Sequence, residues 1–133
     1  MKRGKLKMEA YESDSITLNR IITHINNISK VITYYNISFN KKSPNYLCKN
    51  DYATDLCAFN LWKIGSRFKS LKGSTQKKIE KLFGEDMIFC MINKIPSEYD
   101  ELDKNEVATY ASKLVSLKVL ENIRRIIDDC KVY

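Results

Sequence analysis

Few residues of this chain have side chains that could do acid–base chemistry, and they are widely spaced. His24 is the one histidine in the sequence, and Arg20 lies one helical turn before it. A histidine triad or metal cage would have to use His24, and no phosphate-loop, dinucleotide-binding or zinc-protease motif occurs. Acids form adjacent pairs such as Asp128-Asp129, which point to different sides of a helix. We interpret Arg20 and His24 as surface or interface residues, and the acid pairs as helix-end charges.

The cysteines do not suggest a metal site. Cys48, Cys57, Cys90 and Cys130 contain no C-x2-C pair, which is the usual zinc-ligand spacing. We interpret them as small apolar residues in a reducing cytoplasm, with a disulfide framework as the alternative. The sequence therefore predicts neither a metal nor a cofactor.

A second group of polar residues lies in Met91–Tyr99, which reads Met-Ile-Asn-Lys-Ile-Pro-Ser-Glu-Tyr. The segment joins two helical patterns on the polar side of the chain, where an active site would be placed. It holds no side chain with a pKa near neutrality. The alternative interpretation is a plain helix end that buries Met91 and Ile95.

An upstream segment gives this stretch a context. Asp55–Lys69 contains Asn60-Leu61 and Ile64-Gly65-Ser66. It resembles the second helix of HepT-like proteins of the HEPN superfamily, the helical partners of minimal nucleotidyltransferases, in which an Asp is followed by Asn-Leu and then by Ile-Gly-Glu. Ser66 stands at the Glu position. Because Gly inside a helix costs about 1 kcal/mol relative to Ala, Gly65 predicts a close helix crossing.

The second landmark of that family is an Arg-Asn pair followed at fixed spacing by His and Tyr. Asn93 and Tyr99 match it, whereas Ile92 replaces the Arg and Ser97 replaces the His. The resemblance implies a metal-independent ribonuclease in which the Arg holds the scissile phosphate and the His transfers protons. Loss of general acid–base catalysis alone costs roughly 10²–10⁴-fold in rate. We therefore expect no catalytic residues and no ribonuclease activity of the HEPN type.

Tyr99 has a separate possible role. In HepT-like toxins the partner nucleotidyltransferase attaches adenylate to the Tyr after the His, so the resemblance makes Tyr99 a candidate acceptor. The alternative is a Tyr whose ring packs on the bundle and whose hydroxyl meets water.

The chain is strongly basic. Its formal charge is +7 and its pI is about 9.2. Such a surface attracts nucleic acid through its phosphates, although a solvated surface without a partner is an equal alternative. The densest basic region supplies the candidate RNA-binding residues, which are Lys63, Arg67, Lys69, Lys72, Lys77, Lys78 and Lys81.

Apolar residues recur at helical spacing along most of the chain, and four Gly and two Pro leave few breakers. We predict helices that start near Asp14, near Asp51, at Thr75, at Asp86 (ended or kinked by Pro96) and near Lys104, the last running to Asp129. The fold class is then all-α, an antiparallel four-helix bundle with one additional short helix. Residues 1–12 form a basic flexible lead, and residues 13–133 form one HEPN-like domain.

The predicted function is that of a HepT-like protein with a degraded ribonuclease site, which binds or regulates a minimal nucleotidyltransferase in a toxin–antitoxin-type module. The resemblance implies a homodimer, since HEPN sites form between two subunits, and RNA is a further possible partner. We expect a cytoplasmic protein without membrane contact. Two alternatives stay open: an active ribonuclease that uses Arg20, His24 or the basic cluster, and a non-enzymatic helical adaptor.

Overall fold

The computed structural model describes residues 2–130, with side chains from Asp14 onward, and within that range the fold is all-α, as predicted. The only β pairing there is an isolated bridge between Ser38 and Tyr46. The α-helices are α1 (Lys2–Tyr34), α2 (Asp51–Lys69), α3 (Gly73–Phe83), α4 (Glu85–Phe89), α5 (Ile95–Glu98), α6 (Lys104–Leu114) and α7 (Leu117–Cys130). None of these helices is long and apolar enough to cross a membrane.

The core forms where α1 packs against α2 and α7. The apolar stripe of the first helix is buried over most of its length, with Leu18, Ile21, Ile25 and Ile28 fully removed from solvent, and it is half-buried at Ile32 and Tyr35. Isoleucine is a modest helix former, so α1 depends on this burial for its stability. All four cysteines are free thiols, and three of them are buried.

The sequence predicted that the first helix starts near Asp14, but α1 starts at Lys2. The Asp14 carboxylate is buried instead against the start of α3, where it accepts hydrogen bonds from the Lys72 amide at 3.2 Å and from the Thr75 hydroxyl at 2.7 Å. Asp14 is thus a cap supplied by one helix to another. The side chains of residues 2–13, like Met1 as a whole, lie outside the described part, so the flexible lead stays a prediction.

The end or kink predicted at Pro96 takes the form of a change in helix type, since α4 ends at Phe89 and the chain stays helical up to Pro96. The residues before it, Cys90–Lys94, form a π-helix in which the Ile95 amide donates to the Cys90 carbonyl, five residues back. This wider turn accommodates a residue that has no amide hydrogen to donate. The chain then continues through α5 into a 3-10 turn at Tyr99–Glu101, so the motif segment stays helical.

The prediction of a single last helix over residues 104–129 is wrong. The chain forms α6 and α7, separated at Val115 and Ser116. The Ser116 Oγ accepts hydrogen bonds from the amides of Lys118 at 3.1 Å and Val119 at 3.4 Å, which is how an N-cap serine starts a new helix. Because the apolar spacing continues across Val115 and Ser116, periodicity alone could not predict the break between α6 and α7.

Candidate functional site

The two segments that carry the sequence resemblance are packed against each other. A Cβ atom added at Gly65 would lie 2.8 Å from the Met91 Cβ and 3.1 Å from the Met91 carbonyl oxygen. These separations are too short for a side chain, so glycine lets α2 approach the π-helix at Cys90–Lys94. The close helix crossing predicted from Gly65 is confirmed.

Asp55 and Tyr99 meet at one end of this contact. The Tyr99 hydroxyl donates a hydrogen bond to the Asp55 carboxylate. The Lys104 Nζ lies 3.2 Å from the centroid of the Tyr99 ring and donates to the Tyr99 carbonyl at 3.0 Å. Burial, with the hydrogen bond to Asp55 as a smaller cause, raises the pKa of Tyr99 well above its usual range. At neutral pH this hydroxyl is therefore protonated and directed at a carboxylate.

Beside Tyr99 lies a groove of about 350 Å³, which we call the motif cleft. Its lining residues are Asp55, Ala58, Phe59, Trp62, Ile95, Pro96 and Tyr99. The walls are mainly apolar, and the polar groups are the Asp55 carboxylate and the Tyr99 hydroxyl. Such a groove suits a flat, largely apolar group placed next to one hydrogen-bonding pair.

The remaining motif positions provide no acid–base pair. Ile92 is half-buried and packs on the core. Ser97 is exposed, and its hydroxyl donates to the Asn93 carbonyl at 2.5 Å, so it bonds within its own helical turn. Ser66 is exposed on α2, directly after Gly65. The structure therefore pairs the Tyr99 hydroxyl with Asp55 and the Ser97 hydroxyl with the Asn93 carbonyl. Ile92 and Ser97, which stand at the family's Arg and His positions, provide neither a cation nor a group that transfers protons at neutral pH.

Asn60 and His24 form a polar seam between α1 and α2. The Asn60 amide is buried and donates to the Leu56 carbonyl at 2.9 Å, while Asn27 donates to its oxygen at 3.4 Å. Burial lowers the pKa of His24, and the positive charges of Arg67 and Lys63 lower it further, against an opposing effect of Asn60. The His24 Nδ1 and the Arg67 Nε are buried without a hydrogen-bond partner among the described atoms.

The predicted RNA-binding residues have different local environments. Lys63 lies over the rings of Phe59 and Trp62, at 5.4 and 5.2 Å from their centroids. Lys78 and Lys81 line a second groove between α3 and α7. Lys69 and Lys77 are exposed elsewhere on their helices, and the Lys72 amide is bound by Asp14. RNA binding by this set stays a prediction.

Sequence reasoning missed two features of these surfaces. The helical spacing of apolar residues in α2 suggests that Phe59 and Trp62 are buried, yet Phe59 is 50% exposed and Trp62 is 37% exposed. Arg125 and Asn122, assigned no role, lie in the second groove with Lys78 and Lys81. An aromatic pair spaced i, i+3 next to Asp55 was the available signal for the first feature. The second had no local signal, because its residues come from two distant helices.

Comparisons with family models, with curated proteins and with solved structures found no match to this chain. Within residues 14–130, no three His, Cys, Asp or Glu side chains are grouped so that they could hold a metal ion.

Proposed function

We propose that this chain is a HepT-like protein of the HEPN superfamily, with a degraded ribonuclease site, that acts as the binding partner of a minimal nucleotidyltransferase. Its helices would then form the antiparallel four-helix bundle with an additional helix that the family resemblance implies. The proposal draws support from the contact between Gly65 and Met91, since it joins the two segments that resemble the family. The free thiols suit the reducing cytoplasm in which we place it.

The hydrogen bond from Tyr99 to Asp55 is the observation that carries the proposal. An adenylate acceptor must lose its proton as its oxygen attacks the α-phosphorus of ATP. In the proposed reaction the Tyr99 oxygen forms the new bond to phosphorus, the bond from that phosphorus to the bridging oxygen breaks, and pyrophosphate leaves with its electron pair. Asp55 takes the phenolic proton. Because the pKa of Tyr99 is raised, this transfer to a neighbouring base is needed at neutral pH.

Mass spectrometry after incubation with a minimal nucleotidyltransferase and ATP tests this role. We expect one adenylate on the wild-type chain, none on Tyr99→Phe and strongly reduced transfer to Asp55→Asn. Tyr52→Phe is the matched control, because Tyr52 is exposed on the same helix as Asp55. Transfer to Tyr99→Phe at the wild-type level would refute the assignment.

Ribonuclease inactivity is tested with purified protein and tRNA or mRNA without metal. We expect no cleavage by the wild-type chain, because Ile92 and Ser97 supply neither a cation nor a proton shuttle. The double substitution Ile92→Arg with Ser97→His places the family's groups at these positions and should produce cleavage. Robust cleavage by the wild type, lost on mutation of the motif cleft, would contradict the proposal.

The outward face of α2 fits the proposed homodimer. Tyr52, Leu56, Phe59 and Trp62 are exposed along it, which is an unusual run of large apolar side chains for a free surface. Acidic Asp51 and Asp55 lie near the N-terminal end of this run, and basic Lys63 and Arg67 follow its C-terminal end. A twofold axis that pairs two such helices antiparallel would bring each acidic end to the partner's basic end. We expect the wild-type chain to sediment as a dimer and the Phe59→Glu variant to sediment as a monomer.

A ribonuclease that uses other groups is the second candidate, and the polar seam is the observation in its favour. His24 lies within electrostatic reach of Lys63 and Arg67, and it carries a buried nitrogen without a partner. A histidine beside two cations is a reasonable phosphodiester-cleaving arrangement. If His24→Ala removed a cleavage activity that the wild type showed, this function would replace the one above.

A further inference from the structure

A groove between α3 and α7 shares no residue with the motif cleft. It has a volume of about 350 Å³. Its lining residues are Lys78, Lys81 and Leu82 from α3, and Asn122, Arg125 and Ile126 from α7. These come from two helices that lie about 40 residues apart in the chain, so only packing brings the three cations together.

The cations of this groove are available to an external anion. Lys78, Lys81 and Arg125 are all exposed, and the one ion pair recorded among residues 14–130 joins Lys94 to Glu106, elsewhere in the fold. No acid lines the groove. The nearest acids along the two helices are Glu80 on α3 and Glu121, Asp128 and Asp129 on α7, and none of them lines the groove. The groove therefore has an excess of positive charge.

We infer that this groove binds the phosphodiester backbone of a single-stranded nucleic acid. Lysine ammonium groups serve as point charges for phosphates, and the Arg125 guanidinium and the Asn122 amide add hydrogen-bond donors. The lining contains no aromatic ring on which a base could stack. Contacts are then made with successive phosphates and not with bases, so binding is independent of sequence.

Other anionic partners fit the groove less well. A membrane surface requires apolar side chains that protrude among the cations, whereas Leu82 is half-buried and Ile126 is buried in the floor. An acidic protein segment offers planar carboxylates, which pair best with several arginines, and the groove has one. The groove is also too small to seat a duplex.

Fluorescence anisotropy with a labelled oligouridylate tests the inference in the full chain. The test variant is the triple substitution Lys78→Gln, Lys81→Gln and Arg125→Gln. The control, Lys41→Gln, Lys42→Gln and Lys49→Gln, removes the same charge from exposed positions outside the groove. Three phosphate contacts give a salt slope of about −2, so the groove variant should bind about tenfold more weakly at moderate salt and lose most of that slope. The control should stay within about twofold of wild type.

Competition separates the sources of the phosphate. Unlabelled oligouridylate should displace the probe far better than ATP at equal phosphate concentration, since a strand spans several cations. Displacement by ATP at that level would identify a free nucleotide as the ligand, and equal displacement by polyglutamate would identify an acidic protein; either result overturns the inference. So do equal losses in the two triple variants, or no binding by wild type at low salt.

The single variant Arg125→Gln guards against a folding defect in the triple variant. It should keep the circular dichroism spectrum and melting temperature of the wild type and weaken binding by a few fold. Its matched control is Arg124→Gln, which neighbours it on α7 but does not line the groove. The inference does not rest on the proposed nucleotidyltransferase partner, because no step of it uses Tyr99 or Asp55.

Discussion

The motif cleft and the groove between α3 and α7 have similar volumes but are built in different ways. The motif cleft depends on a backbone approach at Gly65 and on a directed bond between Tyr99 and Asp55, and its walls are apolar. The other groove presents exposed charges over an apolar floor. Substitutions should therefore change stability at the first site, and mainly the electrostatic potential at the second. This comparison also separates a site defined by shape from a site defined by charge.

Substitution of Asp14 tests how firmly α3, and with it the groove between α3 and α7, is held in place. Asp14→Ala removes the acceptor for the Lys72 amide, which is partly buried, and for the Thr75 hydroxyl, which is buried, at the start of α3. We expect a loss of about 2–3 kcal/mol in the free energy of unfolding, measured by urea denaturation.

The exposed Asp128→Ala is the control for Asp14, and its effect should stay within about 0.5 kcal/mol. If Asp14→Ala lowered the free energy of unfolding no more than this control does, α3 would not depend on the contact with α1. The groove between α3 and α7 would then be only loosely ordered.

Gly65→Ala tests the shape of the motif cleft. The new methyl group would lie 2.8 Å from the Met91 Cβ, so α2 and the π-helix must separate. Overpacking of this kind costs about 1–3 kcal/mol, reduced by up to about 1 kcal/mol through the better helix propensity of Ala. The same substitution at Gly73, where an added Cβ meets nothing within 4 Å, should be neutral or slightly stabilising. Equal thermal melts of the two variants would disprove the close contact.

Tyr99→Phe removes one hydrogen bond and keeps the ring on the core. Because Asp55 is exposed and can be solvated, we expect a loss of only about 1 kcal/mol in the free energy of unfolding. In alkaline titration by ultraviolet absorbance, this variant should lose one of the late-titrating phenols. The raised pKa of Tyr99 stabilises the fold below the normal tyrosine pKa, and that contribution declines as the pH rises above it. A Tyr99 that titrates normally would contradict the burial of its ring and hydroxyl beside Asp55.

His24 should give the smallest effect, since it is only half-buried. Burial and the charges of Arg67 and Lys63 lower its pKa, so the folded state binds the proton less readily than the unfolded chain does. Stability from this group is present above the unfolded pKa and declines as the pH falls below it. The His24 ring signals in an NMR titration should shift with a midpoint below that of a free histidine. Arg67→Gln should raise the midpoint, and an unchanged midpoint would place Arg67 away from His24.

The helical class, the helix starts near Asp51 and Lys104, and the close crossing at Gly65 all followed from local sequence. Errors arose where a cue had two possible readings. At Pro96 the sequence left open an end or a kink of the helix, and the structure has a π-helix before Pro96, which accommodates the missing amide hydrogen. Ser116 was overlooked as a cap because the apolar spacing runs through it into α7.

The sequence by itself determined the all-α class and that Ile92 and Ser97 carry neither a cation nor a proton shuttle, because helix periodicity and side-chain chemistry are local properties. Tertiary structure decided that Asp14 caps a helix from another part of the chain, that Tyr99 donates to Asp55, and that Arg125 joins Lys78 and Lys81. These relations depend on how helices cross, and the crossing is set by the burial of many side chains together. The identity of any single residue is therefore not enough to predict the crossing.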